Sequence, residues 1–347
     1  MDNRIKNLPD LIWQKIALID EYKGRWVGGA RLNPQALNRL KQFVLVTSTG
    51  ASTRIEGARL SDKEIEKMMK GIKLQRFSDR DKQEVRGYYE LLVNVFNSGE
   101  ELHFSESLIK HFHRELLKYV DKDQLHRGEY KKQENKVIMI DSAGQSAGVL
   151  FDTTPAYLTP KEMQELIEWT KTTLEKKFYH PLLIIGACIV QFLQIHPFQD
   201  GNGRLSRILT NLLMLQAGYD YMPYVSHEKL IEDNKPDYYL ALRQSQKTLK
   251  TSQPTIVPWL EFFLEIIYQQ VKAAAGLLVG ENIARLLSPG QLKVWEYLQT
   301  REEAAPKELA EKLTIPRPTV NQILNRLLAL KKIERLGQGR STRYKKK

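Results

Sequence analysis

The chain has 347 residues, is 42% hydrophobic and 27% charged, and carries a formal net charge of +12. That balance excludes a largely disordered chain and supplies apolar material for two or three domains. A single cysteine, Cys188, excludes an internal disulfide or a thiolate cluster within one chain and points to the cytoplasm, a reducing compartment.

The opening stretch, MDNRIKNLPDLIW, lacks the apolar core of a signal peptide. Helix signals then dominate. Asn33-Pro34 places a capping residue before a proline at the first helical position, and Leu37, Leu40 and Val44 follow at helical spacing. STRIEG (52–57) reads as a helix end with Gly57 as the C-cap. Ser61 with Glu64, Thr159 with Glu162, and Ser288 with Gln291 each fit a capping box. Amphipathic stretches are predicted near 80–96, 105–119, 160–176, 205–216, 236–248 and 256–276. Strand signals are sparse. KVIMI (136–140) and GVLF (148–151) flank a small polar loop and predict a hairpin over 136–151.

The longest apolar run, PLLIIGACIVQFL (181–193), is shorter than the roughly 18–20 residues a membrane helix needs, so it reads as a buried core helix and no membrane partner is expected. It leads into HPFQDGNGRLSR (196–207). Pro197 disfavours the α conformation at His196 and ends the helix there. Gly201, Asn202 and Gly203 permit a turn whose backbone N–H groups form an anion-binding nest, and a new helix begins just beyond it. Arg204 and Arg207 lie three residues apart on the first turn of that helix. Cations there cost roughly 0.3–1 kcal/mol each unless an anion sits between them. Asp200 offers a hard oxygen ligand for Mg²⁺ bridging phosphates, and a neutral His196 can take a proton from an attacking hydroxyl.

This stretch is identified as a match, at every position, to the Fic family signature His-Pro-Phe-x-Asp-Gly-Asn-Gly-Arg-x-x-Arg. The resemblance extends over about residues 35–275 and implies an all-α, mostly helical core with a small β-hairpin flap at 136–151, which aligns a target segment by strand addition. It implies transfer of AMP from ATP–Mg²⁺ to a Ser, Thr or Tyr hydroxyl of a protein target, self-modification included. His196 then resembles the base and Asp200 the Mg²⁺ ligand. Gly201, Asn202 and Gly203 resemble the anion hole, Arg204 and Arg207 the phosphate-binding arginines, and Phe198 the anchor of the loop. Ser52, Glu56 and Gly57 match an inhibitory Ser/Thr-x-x-x-Glu-Gly/Asn motif, and Glu56 is expected to pair with Arg207. NKPDYYLALRQSQ (234–246) is similar to a helix bordering the nucleotide, which makes Tyr238 and Tyr239 candidates to flank the adenine.

Residues 281–347 hold 15 Lys or Arg against 7 Asp or Glu, an excess of eight positive charges. Three short helix patterns, 289–300, 306–313 and 318–330, precede two short extended runs, and together they predict a winged helix-turn-helix. Its third helix turns Val320, Ile323, Leu324 and Leu327 inward and Thr319, Asn321, Gln322, Asn325 and Arg326 outward, as in a major-groove reader. Arg340, Arg343 and the terminal lysines are candidates for phosphate contacts.

The expected organisation is therefore an N-terminal helical region carrying the inhibitory motif (1–100), a catalytic core (101–277) and a winged helix-turn-helix (288–347). The expected partners are ATP, a protein hydroxyl, DNA through residues 288–347, and a second copy of the chain. Competing readings are a DNA-binding regulator whose nucleotide site senses ligand, a family member using another donor, and one that removes AMP.

Overall fold

The computed structural model describes the chain except residues 30–33, 72–79, 122–123, 141–145, 250, 287, 331, 338 and 340–341. It falls into two compact units, Met1–Ala275 and Gly276–Lys347.

The first unit is all-α apart from one hairpin. Its elements in chain order are α1 (Asp10–Gly29), α2 (Pro34–Ile55), α3 (Asp62–Gly71), α4 (Arg80–Ser98), α5 (Glu106–Leu116), β1 (Lys136–Ile140), β2 (Ser146–Asp152), α6 (Thr159–Lys176), α7 (Pro181–Ile195), α8 (Asn202–Gln216), α9 (His227–Asp233), α10 (Lys235–Gln246) and the larger part of α11 (Val257–Leu286), whose residues from Gly276 on belong to the second unit. Pro34 opens α2 as expected, whereas Asn33 lies outside the described residues.

The apolar run forms α7, whose residues from Leu182 to Ile195 are buried except Gln191. A helix apolar on every side has to be surrounded, and α7 packs between α6 and α8. Helix α8 is also buried along its length, polar residues included. Helix α2 lies against α4 and α9 and touches α8, which brings its C-terminal end beside the start of α8. The hairpin strands pair antiparallel, with Lys136 opposite Asp152 and Ile140 opposite Ser146. The turn between them, 141–145, lies outside the described residues.

Two of the three expected capping boxes form. The backbone N–H and hydroxyl of Ser61 both donate to Glu64, and the Ser61 hydroxyl accepts from the Glu64 N–H at 3.4 Å. Ser288 and Gln291 close the same reciprocal pair. Thr159 does not. A 3₁₀ turn over Ala156–Leu158 runs straight into α6, so Thr159 is already helical and its hydroxyl donates back to the Pro155 carbonyl. Glu162 instead accepts from the Thr154 hydroxyl at 2.7 Å.

The second unit contains α12 (Pro289–Gln299), α13 (Pro306–Leu313), α14 (Arg317–Ala329), β3 (Ile333–Leu336) and β4 (Arg343–Lys346). The strands pair antiparallel, and Ala304 bridges to Tyr344. Its core is Val294, Leu298, Leu309, Val320, Leu324, Leu327, Ile333 and Tyr344. The outward face of α14 is the expected polar set, with Thr319, Asn321, Gln322, Asn325 and Arg326 exposed. Arg340 lies outside the described residues.

Candidate active site

The turn between α7 and α8 is shaped by its own side chains. His196 follows the last turn of α7 in the left-handed region, φ 52° and ψ 60°, with its N–H on the Phe192 carbonyl at 2.9 Å. Asn202 staples the turn. Its carbonyl oxygen accepts from the Phe198 N–H at 2.9 Å and its amide donates to the Phe198 carbonyl at 2.8 Å. Asn202 therefore acts here on loop shape, and Gly201, at φ +79°, supplies the left-handed residue before α8.

Phe198 is fully buried and stacks on His113 of α5, ring centroids 3.9 Å apart. His113 Nδ1 accepts from the Gly128 N–H at 2.8 Å, so Nε2 carries the proton and donates to the Asp200 carbonyl at 3.0 Å. Burial pushes the His113 pKa down to about 4. It is a neutral strut under the turn. Its place on the Ile109–Phe112–Leu116 face of α5 was a cue available in the sequence, and its function was not.

His196 is half-buried, and Nδ1 lies 3.3 Å from the Leu193 carbonyl. A carbonyl only accepts, so the proton sits on Nδ1 and the Nε2 lone pair is left to act as a base. Burial is the main cause that lowers the His196 pKa to about 4; Lys131 pushes the same way, while Glu56 and Asp200 oppose it. The ring is neutral at neutral pH.

The two signature arginines have separate partners. Arg204, almost wholly buried, pairs with Glu84 of α4 at 2.6 Å and with Asp200 at 3.1 Å. Asp200 also takes Arg80 at 2.7 Å and the Gly201 N–H at 2.7 Å. Burial works against its charge, but Arg204, that N–H and Arg80 outweigh it and hold the carboxyl below its ordinary pKa. Glu84 and Arg80 had no signal in the sequence.

Arg207 donates through Nε to the Ser52 hydroxyl at 2.8 Å and through Nη2 to the Ser52 carbonyl at 2.9 Å. The same Nη2 reaches Glu56 Oε1 at 2.7 Å, so the pair uses one carboxylate oxygen rather than two. Burial works to strip the Arg207 proton, and Glu56 beside it raises the pKa further in the opposite sense. The carboxylate also covers the start of α8: a Cβ on Gly203 would stand 2.2 Å from Glu56 Oε1. Only glycine at 203 leaves room for that approach.

The end of α2 explains how Glu56 gets there. The Gly57 N–H donates to Arg54 and the Ala58 N–H to Thr53, with Gly57 at φ +102°, the paired bonds of a Schellman end. Arg54 bolts this end down. It forks onto Glu232 of α9 at 2.6 and 3.1 Å and donates to Asp62 at 2.8 Å.

Of the two tyrosines expected to flank the adenine, Tyr238 lies in the core. That ring is 3% exposed, with ring centroids of Tyr239, Trp259 and Phe262 within 6 Å. Tyr239 is half-buried, and its hydroxyl is 3.5 Å from the Ile55 carbonyl at the end of α2.

Among the described residues no group of three or more His, Cys, Asp or Glu side chains could hold a metal ion. A lone carboxylate kept ionised, as Asp200 is, fits a Mg²⁺ that arrives with a triphosphate and does not fit a resident all-protein cage. No described helix is long and apolar enough to cross a membrane.

Residues 103–214, which contain this turn, match the Fic/DOC family. That segment is a Fic/DOC family region. The matched Fic region begins after α2, so the helix that carries Glu56 stands outside it. The chain is 24% identical over 279 residues to a probable protein adenylyltransferase of Aquifex aeolicus, covering 78% of this chain and 77% of that protein. It is 30% identical over 132 residues to the protein adenylyltransferase Fic of Drosophila willistoni, where the match spans 24% of the fly protein. The fold resembles a Fic family protein from Desulfovibrio desulfuricans, with a TM-score of 0.64, 23% identity, and 98% of this chain and 97% of that one covered. A Fic domain-containing signaling protein from Bacteroides thetaiotaomicron gives 0.62 at 21% identity, over 76% and 97% of the two chains.

Proposed function

We propose that the chain transfers AMP from ATP to a hydroxyl of a protein target, itself included, and that Glu56 restrains the reaction by occupying the place of a phosphate on Arg207. The observation that carries the reading is the position of a neutral His196, with its Nε2 lone pair free, at the mouth of a turn whose nest and buried arginine are built for anions. The relatives named adenylyltransferase support the same chemistry.

In this reading His196 Nε2 takes the proton of the target hydroxyl as its oxygen attacks the α-phosphorus. The bond from that phosphorus to the β-phosphate bridging oxygen breaks, and pyrophosphate leaves. The N–H groups at the start of α8 and the Arg207 guanidinium take the β- and γ-phosphate charge, with Arg204 holding Asp200 in place. Asp200 would hold a Mg²⁺, which when bound neutralises charge on the phosphates. The hairpin β1–β2 offers backbone edges beside the base for an extended target segment.

The test is incubation of wild type and Glu56→Gly with each nucleoside triphosphate and Mg²⁺, followed by intact-mass measurement. A gain of one AMP from ATP, larger in Glu56→Gly, supports the reading. A gain from another nucleotide would change the donor, release of AMP from a modified target would reverse the direction, and no gain from any would overturn it.

The outward polar face of α14 and the basic excess in this segment favour a second activity for residues 288–347: binding duplex DNA as a winged helix-turn-helix.

A further inference from the structure

We infer that Lys131 is a positioning residue that fastens both ends of the β1–β2 hairpin to the backbone on either side of His196, holding the flap and the imidazole as one unit. The inference rests on the proposed AMP transfer for one of its readouts only.

Lys131 is 4% exposed, and its ammonium donates to three oxygens from three segments. These are the Ile195 carbonyl at 3.0 Å, Asn135 Oδ1 at 2.9 Å and the Thr153 hydroxyl at 2.9 Å. Asn135 directly precedes β1, Thr153 directly follows β2, and Ile195 is the last residue of α7. The backbone repeats the connection. The Lys131 N–H donates to the Pro197 carbonyl at 2.8 Å and the Thr154 N–H to Gln194 at 3.3 Å. The Asn135 amide donates to the Phe198 carbonyl at 2.9 Å. The carbonyls of residues 194, 195, 197 and 198 are therefore all taken by the base of the hairpin.

The last carbonyls of a helix have no partners within it, and those of Gln194 and Ile195 at the end of α7 find theirs here. His196 between them is left-handed without being glycine, a conformation that persists only where its surroundings over-determine it. A lysine suits the place because three tetrahedral donors meet acceptors from three directions, which a planar guanidinium cannot reproduce. The charged groups facing the imidazole are Lys131, Glu56 and Asp200; the ammonium disfavours ring protonation and the two carboxylates favour it.

The experiment compares full-length wild type, Lys131→Met and Lys131→Arg. Histidines labelled at Cε1 are titrated by NMR, with His196 assigned by the signal lost in His196→Gln. Amide exchange is followed across 136–140 and 146–152. In Lys131→Met, His196 titrates at higher pH than in wild type and the hairpin amides exchange about tenfold faster or more, the loss of one to two hydrogen bonds' worth of protection. Lys131→Arg restores the titration more than the exchange. Thr153→Val, which keeps the ammonium and removes one acceptor, speeds hairpin exchange without moving the titration, and it stands in if Lys131→Met does not fold. Folded variants with wild-type titration and wild-type exchange overturn the inference. AMP transfer is measured in parallel: Lys131→Met loses kcat with KM for ATP little changed. Transfer absent from every variant while the NMR and exchange differences appear would reject the proposed activity and leave the positioning role standing.

Discussion

Arg207 and Ser52 meet twice, side chain to side chain and guanidinium to carbonyl, one turn before Glu56 closes on the same guanidinium. The buried arginine of the signature is thus gripped by a helix outside the matched family region. The two Ser52 contacts do not involve the Glu56 side chain, so on removal of Glu56 the arginine is expected to keep its orientation.

Glu56→Gly is accordingly expected to raise AMP incorporation from ATP by about 10- to 100-fold, the equivalent of one charge-assisted contact of about 1.5–3 kcal/mol. Radiolabel incorporation at equal protein concentration measures it, and equal labelling by wild type would remove the case for inhibition.

His196→Ala is expected to abolish transfer while leaving calorimetric binding of Mg²⁺–ATP within about threefold, because the ring touches no phosphate-binding group in this arrangement. With the His196 pKa lowered to about 4, the base is already deprotonated at neutral pH, so kcat of Glu56→Gly stays flat between about pH 6 and 8. An acid limb centred near the ordinary histidine value would contradict the burial of the ring.

Three histidines with lowered pKa also set a stability profile. His113, His196 and His227 each have the pKa lowered to about 4, chiefly by burial. Their unfolded forms bind protons first, near about pH 6.5. The stability they contribute is therefore full above that value and falls as the pH drops toward about 4, by up to about 1.4 kcal/mol per pH unit for each ring. Urea unfolding at a series of pH values checks this. His113→Gln should flatten the curve and also loosen Asp200, since a single amide cannot reproduce both ring contacts and the stack on Phe198.

Gly57→Ala should cost about 1–2 kcal/mol, from the left-handed backbone alone, because a Cβ there would meet nothing within 4 Å. As Gly57 sets the direction of the residue before it, the same variant should show part of the activation of Glu56→Gly. A full loss of stability with wild-type labelling would separate the cap from the inhibitory contact.

Arg326→Ala on the exposed face of α14 should weaken binding of random duplex and lower the slope of log K against log salt by about one. Fluorescence anisotropy of the full chain at three salt concentrations reads both; salt-independent binding, or none, would remove the DNA reading.

Much of this was legible in the residues. Helical periodicity located most of the long helices to within a few positions; α1 (Asp10–Gly29) was not among those expected, and α11 runs on to Leu286, ten residues past the expected end, because the stretch past 276 has no proline or capping signal before Ser288. The signature located the turn, and the resemblance of Ser52, Glu56 and Gly57 to the family's inhibitory motif pointed to the contact with Arg207. The sequence was silent on the other partners that are distant in the chain. Glu84 answering Arg204, Arg80 on Asp200 and Lys131 on Ile195 depend on tertiary approach, and no local pattern encodes them. The placement of Tyr238 was open for the opposite reason. An aromatic pair on a helix has one ring facing inward, and periodicity alone does not say that the inner face of α10 backs onto Trp259 and Phe262.

The fork of Arg54 onto Glu232 has a mechanical consequence. With the terminus of that helix pinned on two sides, moving the Glu56 carboxylate off Arg207 requires no travel of the backbone, only torsion about the bonds of one side chain. Such motion belongs to the fast end of protein dynamics, so opening costs a change of rotamer population rather than a rearrangement of the fold.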